Sequence, residues 1–242
     1  MEIKTKKIEI PVKNAEISLQ GLIYSSAKTP KQSAWVINCH GLLEHKKSTF
    51  TRFFSKKFAA AGYYVVSYDY RAHGETAEQT GKNWLKHMPE IFTDIRDVIS
   101  WIYEMQTDKL KDEKIVLFGR SLGGAIILTQ GFLDERADFL IPLCTRYDYS
   151  SFHVEFPQDL IKKMSAKYFL RQKEENNERI LIGHCKDDNQ IPFENVLKIK
   201  DHLGLQDENV MIFDEGGHSF DGKKEIVFKK IMIFFRKIEF HH

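Results

Sequence analysis

The 242-residue sequence contains no apolar run near the roughly 18 residues that a membrane span needs, so no spanning helix is expected. It has no excess of either charge: 36 Lys and Arg stand against 34 Asp and Glu, a formal net charge of +2. That balance gives no reason to expect nucleic acid or an anionic membrane as a partner. Cysteine is scarce. Cys39, Cys144 and Cys185 are odd in number and widely spaced, with no C-x-x-C pair. A zinc site or a disulfide framework is therefore not expected. Cys39 and Cys144 lie in apolar, strand-like runs and read as buried thiols. The first residues show no apolar core of a secretory leader. These absences together point to a soluble protein in a reducing, cytoplasmic setting. Repeats, low-complexity tracts and Pro/Gly-rich linkers are also missing, and the length suits one α/β domain over residues 1–242.

What is present is alternation. Residues 3–13 and 15–26 read as two strands of a hairpin turning near Asn14. Strands are then expected at 33–39, 63–69, 114–119, 138–144, 178–184 and 209–213. Helices are expected at 48–61, ending at Gly62, at 84–106, and from the elbow to about 135. Further helices are expected at 158–173, 193–203 and 222–238. In the helix over 84–106, Ile91, Ile95, Val98, Ile99 and Ile102 share one face. Strands that are apolar throughout, alternating with helices, imply a mostly parallel eight-stranded sheet covered on both faces. Ligands of such sheets bind outside the carboxyl ends of the strands.

Gly119-Arg120-Ser121-Leu122-Gly123 lies between the apolar runs at 114–118 and 125–128. The pattern alone arises by chance in roughly one chain of ten of this length. Strand before and helix after make it the signature of a nucleophile elbow, which lifts the serine above the sheet. A serine hydroxyl needs a base within hydrogen-bond reach, and the base needs an orienting acid. The acid candidates are Asp187 and Asp188, before Ile191-Pro192. The spacing to the proline favours Asp188, and Asp187 fits a turn or cap. The base candidate is His218, on the glycine-flanked loop behind the last core strand. Acyl transfer also needs two N–H groups for the developing oxyanion, and Leu42 and Leu122 are the candidates. His40, Glu44 and His45 read as shapers of the loop that carries Leu42.

These motifs resemble the α/β-hydrolase superfamily across nearly the whole chain. His40-Gly41-Leu42-Leu43-Glu44-His45 and the turn Asp69–Gly74 are similar to those of small carboxylesterases, feruloyl-type esterases and monoacylglycerol lipases. The resemblance implies hydrolysis of a small-molecule carboxylic ester through an acyl-enzyme, with no cofactor. It leaves open a thioesterase or acyltransferase with the same residues, or a binding protein on the same fold, and does not select monomer or homodimer. Leu43 and Ala72 stand where relatives often have glycine. A short cap is expected at about 145–177, and with it an open pocket, in which Tyr147, Tyr149 and Phe152 could form an apolar substrate wall.

Overall fold

The computed structural model describes residues 2–27, 34–105, 113–152 and 154–239. Eight strands form one sheet: β1 (Ile3–Pro11), β2 (Ser18–Ser26), β3 (Ala34–Cys39), β4 (Tyr64–Tyr68), β5 (Lys114–Arg120), β6 (Phe139–Leu143), β7 (Ile182–Cys185) and β8 (Val210–Phe213). Their order across the sheet is β1-β2-β4-β3-β5-β6-β7-β8. β1 and β2 pair antiparallel, β2 meets β4 antiparallel, and every later pairing is parallel. This is the α/β-hydrolase fold. The hairpin turns through Asn14, which takes a positive φ of 64°.

Successive side chains of a strand point to opposite faces. Trp35, Ile37 and Cys39 of β3 join one core with Ile115 and Leu117 of β5 and the helices Ile95–Met105 and Glu194–Leu203. Val36, Val116 and Phe118 join a second core on the other face, built with Phe50, Phe54 and Phe58 of the helix Thr49–Ala60. Val227 and Ile231 of the helix Lys224–Glu239 complete it. Helices on both faces explain why the strands read as continuous apolar runs.

Two expected helices are shorter in the structure. The one expected over 84–106 is replaced by turns at 84–87, a helix at Met88–Thr93 and a second at Ile95–Met105; residue 106 lies outside the described residues. Pro89 explains the late start, because proline lacks an N–H and is tolerated only in a helix's first turn. The helix expected over 158–173 stops at Met164, where Ser165 turns extended, and a short 3-10 turn follows at Ala166–Tyr168. The helix after the elbow opens as Leu122–Ile126 and widens to a π-helix at Ile127–Gly131. The strand start expected at Ser33 and the terminal His241 and His242 also lie outside the described residues.

Parallel strands bring their carboxyl ends to one edge. There the loops after β3, β4, β5, β6, β7 and β8 converge, and they hold every residue singled out for chemistry.

Candidate active site

Ser121 follows β5 directly. Its backbone is held at φ 59° and ψ −119°, a strained conformation for a residue with a Cβ. Packing fixes it: Ser121 N–H donates to Leu143 O at 2.9 Å, and Thr145 Oγ1 donates to Ser121 O at 2.8 Å. The helix that starts at Leu122 must pass tightly against β3. A Cβ at Gly123 would stand 2.2 Å from Cys39 O, so only glycine fits.

Asp188 lies at the carboxyl end of β7 with its side chain fully covered. Its Oδ1 accepts the N–H groups of Gln190 and Ile191 at 2.9 and 3.0 Å. Its Oδ2 accepts His218 Nδ1 at 2.8 Å and lies 3.3 Å from His184 Nε2. Burial alone would raise this carboxyl's pKa. The hydrogen bonds from His184, His218 and Ile191 outweigh it and hold the group well below the ordinary carboxylate range. Asp187, the other acid candidate, points elsewhere. It accepts the N–H groups of Gly216 and Gly217 at 3.1 and 2.8 Å, and so shapes the loop that carries His218. That loop needs φ of 137° and 58° at the two glycines, values open to glycine. With Nδ1 committed to Asp188, Nε2 of His218 is the nitrogen left to exchange protons. Ser121 and His218 border one cavity of about 500 Å³.

The loop after β3 forms the opposite wall. Gly41 N–H donates to Glu44 Oε2 at 2.9 Å, Leu43 N–H to His73 Nε2 at 3.3 Å, and Glu44 N–H to Gly41 O at 3.2 Å. Among the described residues, the Leu42 N–H has no such partner. Leu122 N–H, in the first turn of its helix, has no acceptor within the helix either. Both residues border the cavity. His40 is buried beneath, stacked on Tyr70 with ring centroids 3.8 Å apart, and Tyr70 Oη donates to His40 O at 2.9 Å. Burial pushes the His40 imidazole down to about 3, so it is a neutral support of the loop. Leu43 and Ala72 both adopt a φ of 61°, the left-handed conformation that favours glycine.

Of the three aromatic candidates, Tyr149 and Phe152 border the cavity, packed against each other at 5.6 Å. Tyr147 does not. Its N–H donates to Asn195 Oδ1 at 3.0 Å, and its hydroxyl meets His202 Nδ1 at 3.0 Å, so it faces the helix Glu194–Leu203 instead.

Three residues of the site escape a reading of the sequence. Arg120 stands at a variable position of the elbow pattern, yet it is 5 % exposed and joins two walls. Its guanidinium pairs with Glu44 on one side, and on the other donates to Ser219 Oγ and to His218 O at 3.2 Å. His184, one of ten histidines, shares its Nε2 between Asp188 and Ile191 O at 3.0 Å. Cys144 sits under the pair, its Sγ within 4.8 Å of the Asp188 and His218 side-chain atoms. Burial and the neighbouring Cys185 push its thiol well above the ordinary range, so it stays a neutral thiol. Nothing in spacing or periodicity marks these three.

Comparison with known proteins agrees with this geometry at the level of fold. A ferulic-acid complex of Est1E from Butyrivibrio proteoclasticus superposes with a TM-score of 0.73 at 15% identity, covering 95% of this chain and 98% of that one. XC6422 from Xanthomonas campestris, described as an α/β serine hydrolase without lid, gives 0.69 at 15% identity over 97% and 94%. In sequence, the quorum-quenching protein AidA of Acinetobacter baumannii is 28% identical over 131 residues, 53% of this chain and 41% of AidA. An uncharacterised 31.7 kDa Escherichia coli protein is 28% identical over 107 residues, 44% of this chain and 35% of that one. The chain thus spans well under half the length of these two relatives. The family model described as serine aminopeptidase S33 matches residues 30–170, more than half of the sequence, and the chain belongs to that hydrolase family, Hydrolase_4.

Proposed function

We propose that this protein is a serine esterase that cleaves small carboxylic esters through an acyl-enzyme. The observation that carries the reading is the strained Ser121 bordering a cavity it shares with His218, whose Nδ1 is held at 2.8 Å by Asp188. Ser121 Oγ attacks the ester carbonyl while His218 Nε2 takes its proton. Asp188 holds the tautomer with Nε2 free and stabilises the imidazolium. The tetrahedral oxyanion is met by the N–H groups of Leu42 and Leu122; losing one such donor costs about 3 kcal/mol of barrier. His218 returns the proton to the leaving alkoxide. Water, with His218 again as base, then releases the acid.

The charges of the cavity favour an ester over an aminopeptidase substrate. Holding an α-ammonium group calls for an unpaired carboxylate. Among the described residues that border the cavity the one acid is Glu44, already paired with Arg120, and Arg146 adds a second cation. The minimal segment between β6 and β7 and the aromatic Tyr149 and Phe152 suit short, medium or aromatic acyl groups.

The test is hydrolysis of p-nitrophenyl esters from acetate to palmitate, with aminoacyl p-nitroanilides alongside, by wild type and Ser121→Ala. Ester turnover lost in the variant, together with labelling of Ser121 by a fluorophosphonate, is the expected result. Folded protein that neither turns over an ester nor takes the probe overturns the reading. Faster turnover of the anilides than of every ester overturns the substrate class.

A further inference from the structure

Arg146 is the charge in the cavity that the mechanism does not use. It follows Thr145, whose hydroxyl is bonded to Ser121 O, and it borders the same cavity as Ser121. Its guanidinium is held on two sides. Nη2 donates to Gln190 O at 3.1 Å, two residues past Asp188, and the group lies over the Phe152 ring at 5.2 Å from the centroid. The other basic groups around the site are closed by carboxylates: Arg120 by Glu44, Lys46 by Asp69, Arg71 by Asp94. Among the described residues no carboxylate pairs with Arg146. A guanidinium offers five N–H donors in a planar fork that matches a carboxylate, and one hydrogen bond to Gln190 O leaves donors free. The stacking on Phe152 and the bond to the acid loop order the side chain beforehand, which lowers the entropy lost on binding. Tyr149 and Phe152 border the same cavity as Arg146 and Ser121, an apolar wall that suits an aliphatic spacer.

We propose that Arg146 is the anchor for a carboxylate at the far end of the substrate's acyl chain, so that the preferred substrates are half-esters of dicarboxylic acids. This rests on the serine-esterase reading above and names its substrate class. The geometry assigns Arg146 to specificity, since it binds a group remote from the bond that breaks.

The experiment compares kcat/KM for mono-p-nitrophenyl adipate and p-nitrophenyl hexanoate, which share chain length and leaving group and differ in the terminal carboxylate. It is run on wild type, Arg146→Gln and Arg146→Lys. Wild type is expected to favour the adipate; the ratio should fall tenfold or more in Arg146→Gln, recover in part in Arg146→Lys, and decline with added salt. A ratio equal in wild type and Arg146→Gln overturns the proposal. A second pair, 4-hexanoyloxybenzoate and phenyl hexanoate, moves the carboxylate to the alcohol; Arg146-dependent preference in this pair alone overturns the acyl-side assignment. Calorimetry of monomethyl adipate and methyl hexanoate on Ser121→Ala protein gives a readout free of turnover. Monomethyl adipate binding that vanishes in the Ser121→Ala, Arg146→Gln double variant supports the site even if no ester is hydrolysed, a result that would sink only the esterase reading. Equal affinity for the two esters, or none for monomethyl adipate, counts against the site itself.

Discussion

Arg120→Met is the substitution that asks most of this structure. Methionine keeps the apolar stem against Phe50, over which the guanidinium now lies at 4.5 Å from the ring centroid. What is lost is the fork joining Glu44 on the loop after β3 to Ser219 and the His218 carbonyl on the loop after β8. Removing one member of a buried ion pair costs about 3–5 kcal/mol, mostly for the charge left behind. The Glu44 side chain is 25 % exposed and keeps the Gly41 N–H at 2.9 Å. The expected loss of stability is therefore smaller, about 2–3 kcal/mol. The kinetic effect has a separate cause. One loop carries Leu42, proposed above as an oxyanion donor, and the other carries His218, and Arg120 joins the two. A slip of about 1 Å in such a constellation lowers the rate by about 10²-fold, or about 2.7 kcal/mol of barrier. Urea denaturation measures the first term, and kcat and KM on a short p-nitrophenyl ester measure the second. Arg120→Lys should recover little of kcat, because an ammonium cannot span both loops. Adding Glu44→Gln to Arg120→Met should return part of the stability, since it removes the stranded charge, and none of the rate. A kcat for Arg120→Met within threefold of wild type would refute the positioning role, whatever the stability.

Asp188→Asn should lower kcat by about 10⁴-fold through loss of the correct His218 tautomer, with KM little changed. The fold holds the Asp188 carboxyl below its ordinary value, so its contribution to stability is present above about pH 3.9 and lost as pH falls below that. The acid limb of stability against pH should accordingly be shallower in Asp188→Asn. His40 has the corresponding effect nearer neutrality. Its folded pKa of about 3 lies below the ordinary 6.5, so the unfolded chain binds the extra proton, and stability is full above about pH 6.5 and declines as pH falls toward 3. Urea midpoints at pH 7 and pH 5 should show wild type losing about 2 kcal/mol more than His40→Gln. Gly123→Ala forces a methyl group against Cys39 O and should destabilise by about 3 kcal/mol, read as a lower thermal midpoint. Ala72→Gly relieves a left-handed alanine that costs about 1–2 kcal/mol, against about 0.5–1 kcal/mol of added chain entropy. A thermal midpoint at or above wild type is expected.

How much of this was legible in the sequence depended on range. The strands could be read because helices on both faces force Trp35, Ile37, Val36 and their neighbours to be apolar without alternation. The elbow could be read because its geometry demands small residues at fixed positions around Ser121. The acid loop could be read as two adjacent candidates, with the spacing to Pro192 favouring Asp188. Which of Asp187 and Asp188 meets His218 is settled by the local turn, in which Gln190 and Ile191 fold back onto Asp188 Oδ1 and leave Asp187 to the glycine loop. The helix expected over 84–106 starts late, with Pro89 in its first turn, and breaks at Asp94, which the continuous apolar face concealed. Tyr147 failed for a different reason: its neighbour Tyr149 is directed into the cavity, while Asn195 and His202, about 50 residues further along, draw Tyr147 away. Contacts of that separation leave no local pattern. Arg120 was hidden in the same way, since its partners lie 76 and 99 residues off in the chain.

The charges around Ser121 follow a single constraint, which explains why one of them is open. A charged group taken from water must recover its solvation from partners. Lys46 and Asp69 are each 1 % exposed in their side chains, and they meet at 2.5 Å. Asp94 is held by both arms of Arg71 at 2.9 Å, and even so burial pushes its carboxyl up to about 6. Asp188 needs two histidines and two backbone N–H groups to remain ionised. Arg146 escapes the requirement because it is only half-buried at the cavity wall, where water can solvate it. A substrate that fills the cavity removes that water. An uncharged acyl chain would then leave a desolvated guanidinium behind, and a chain ending in a carboxylate would not. The selectivity therefore follows as much from the cost of burying the wrong substrate as from attraction to the right one.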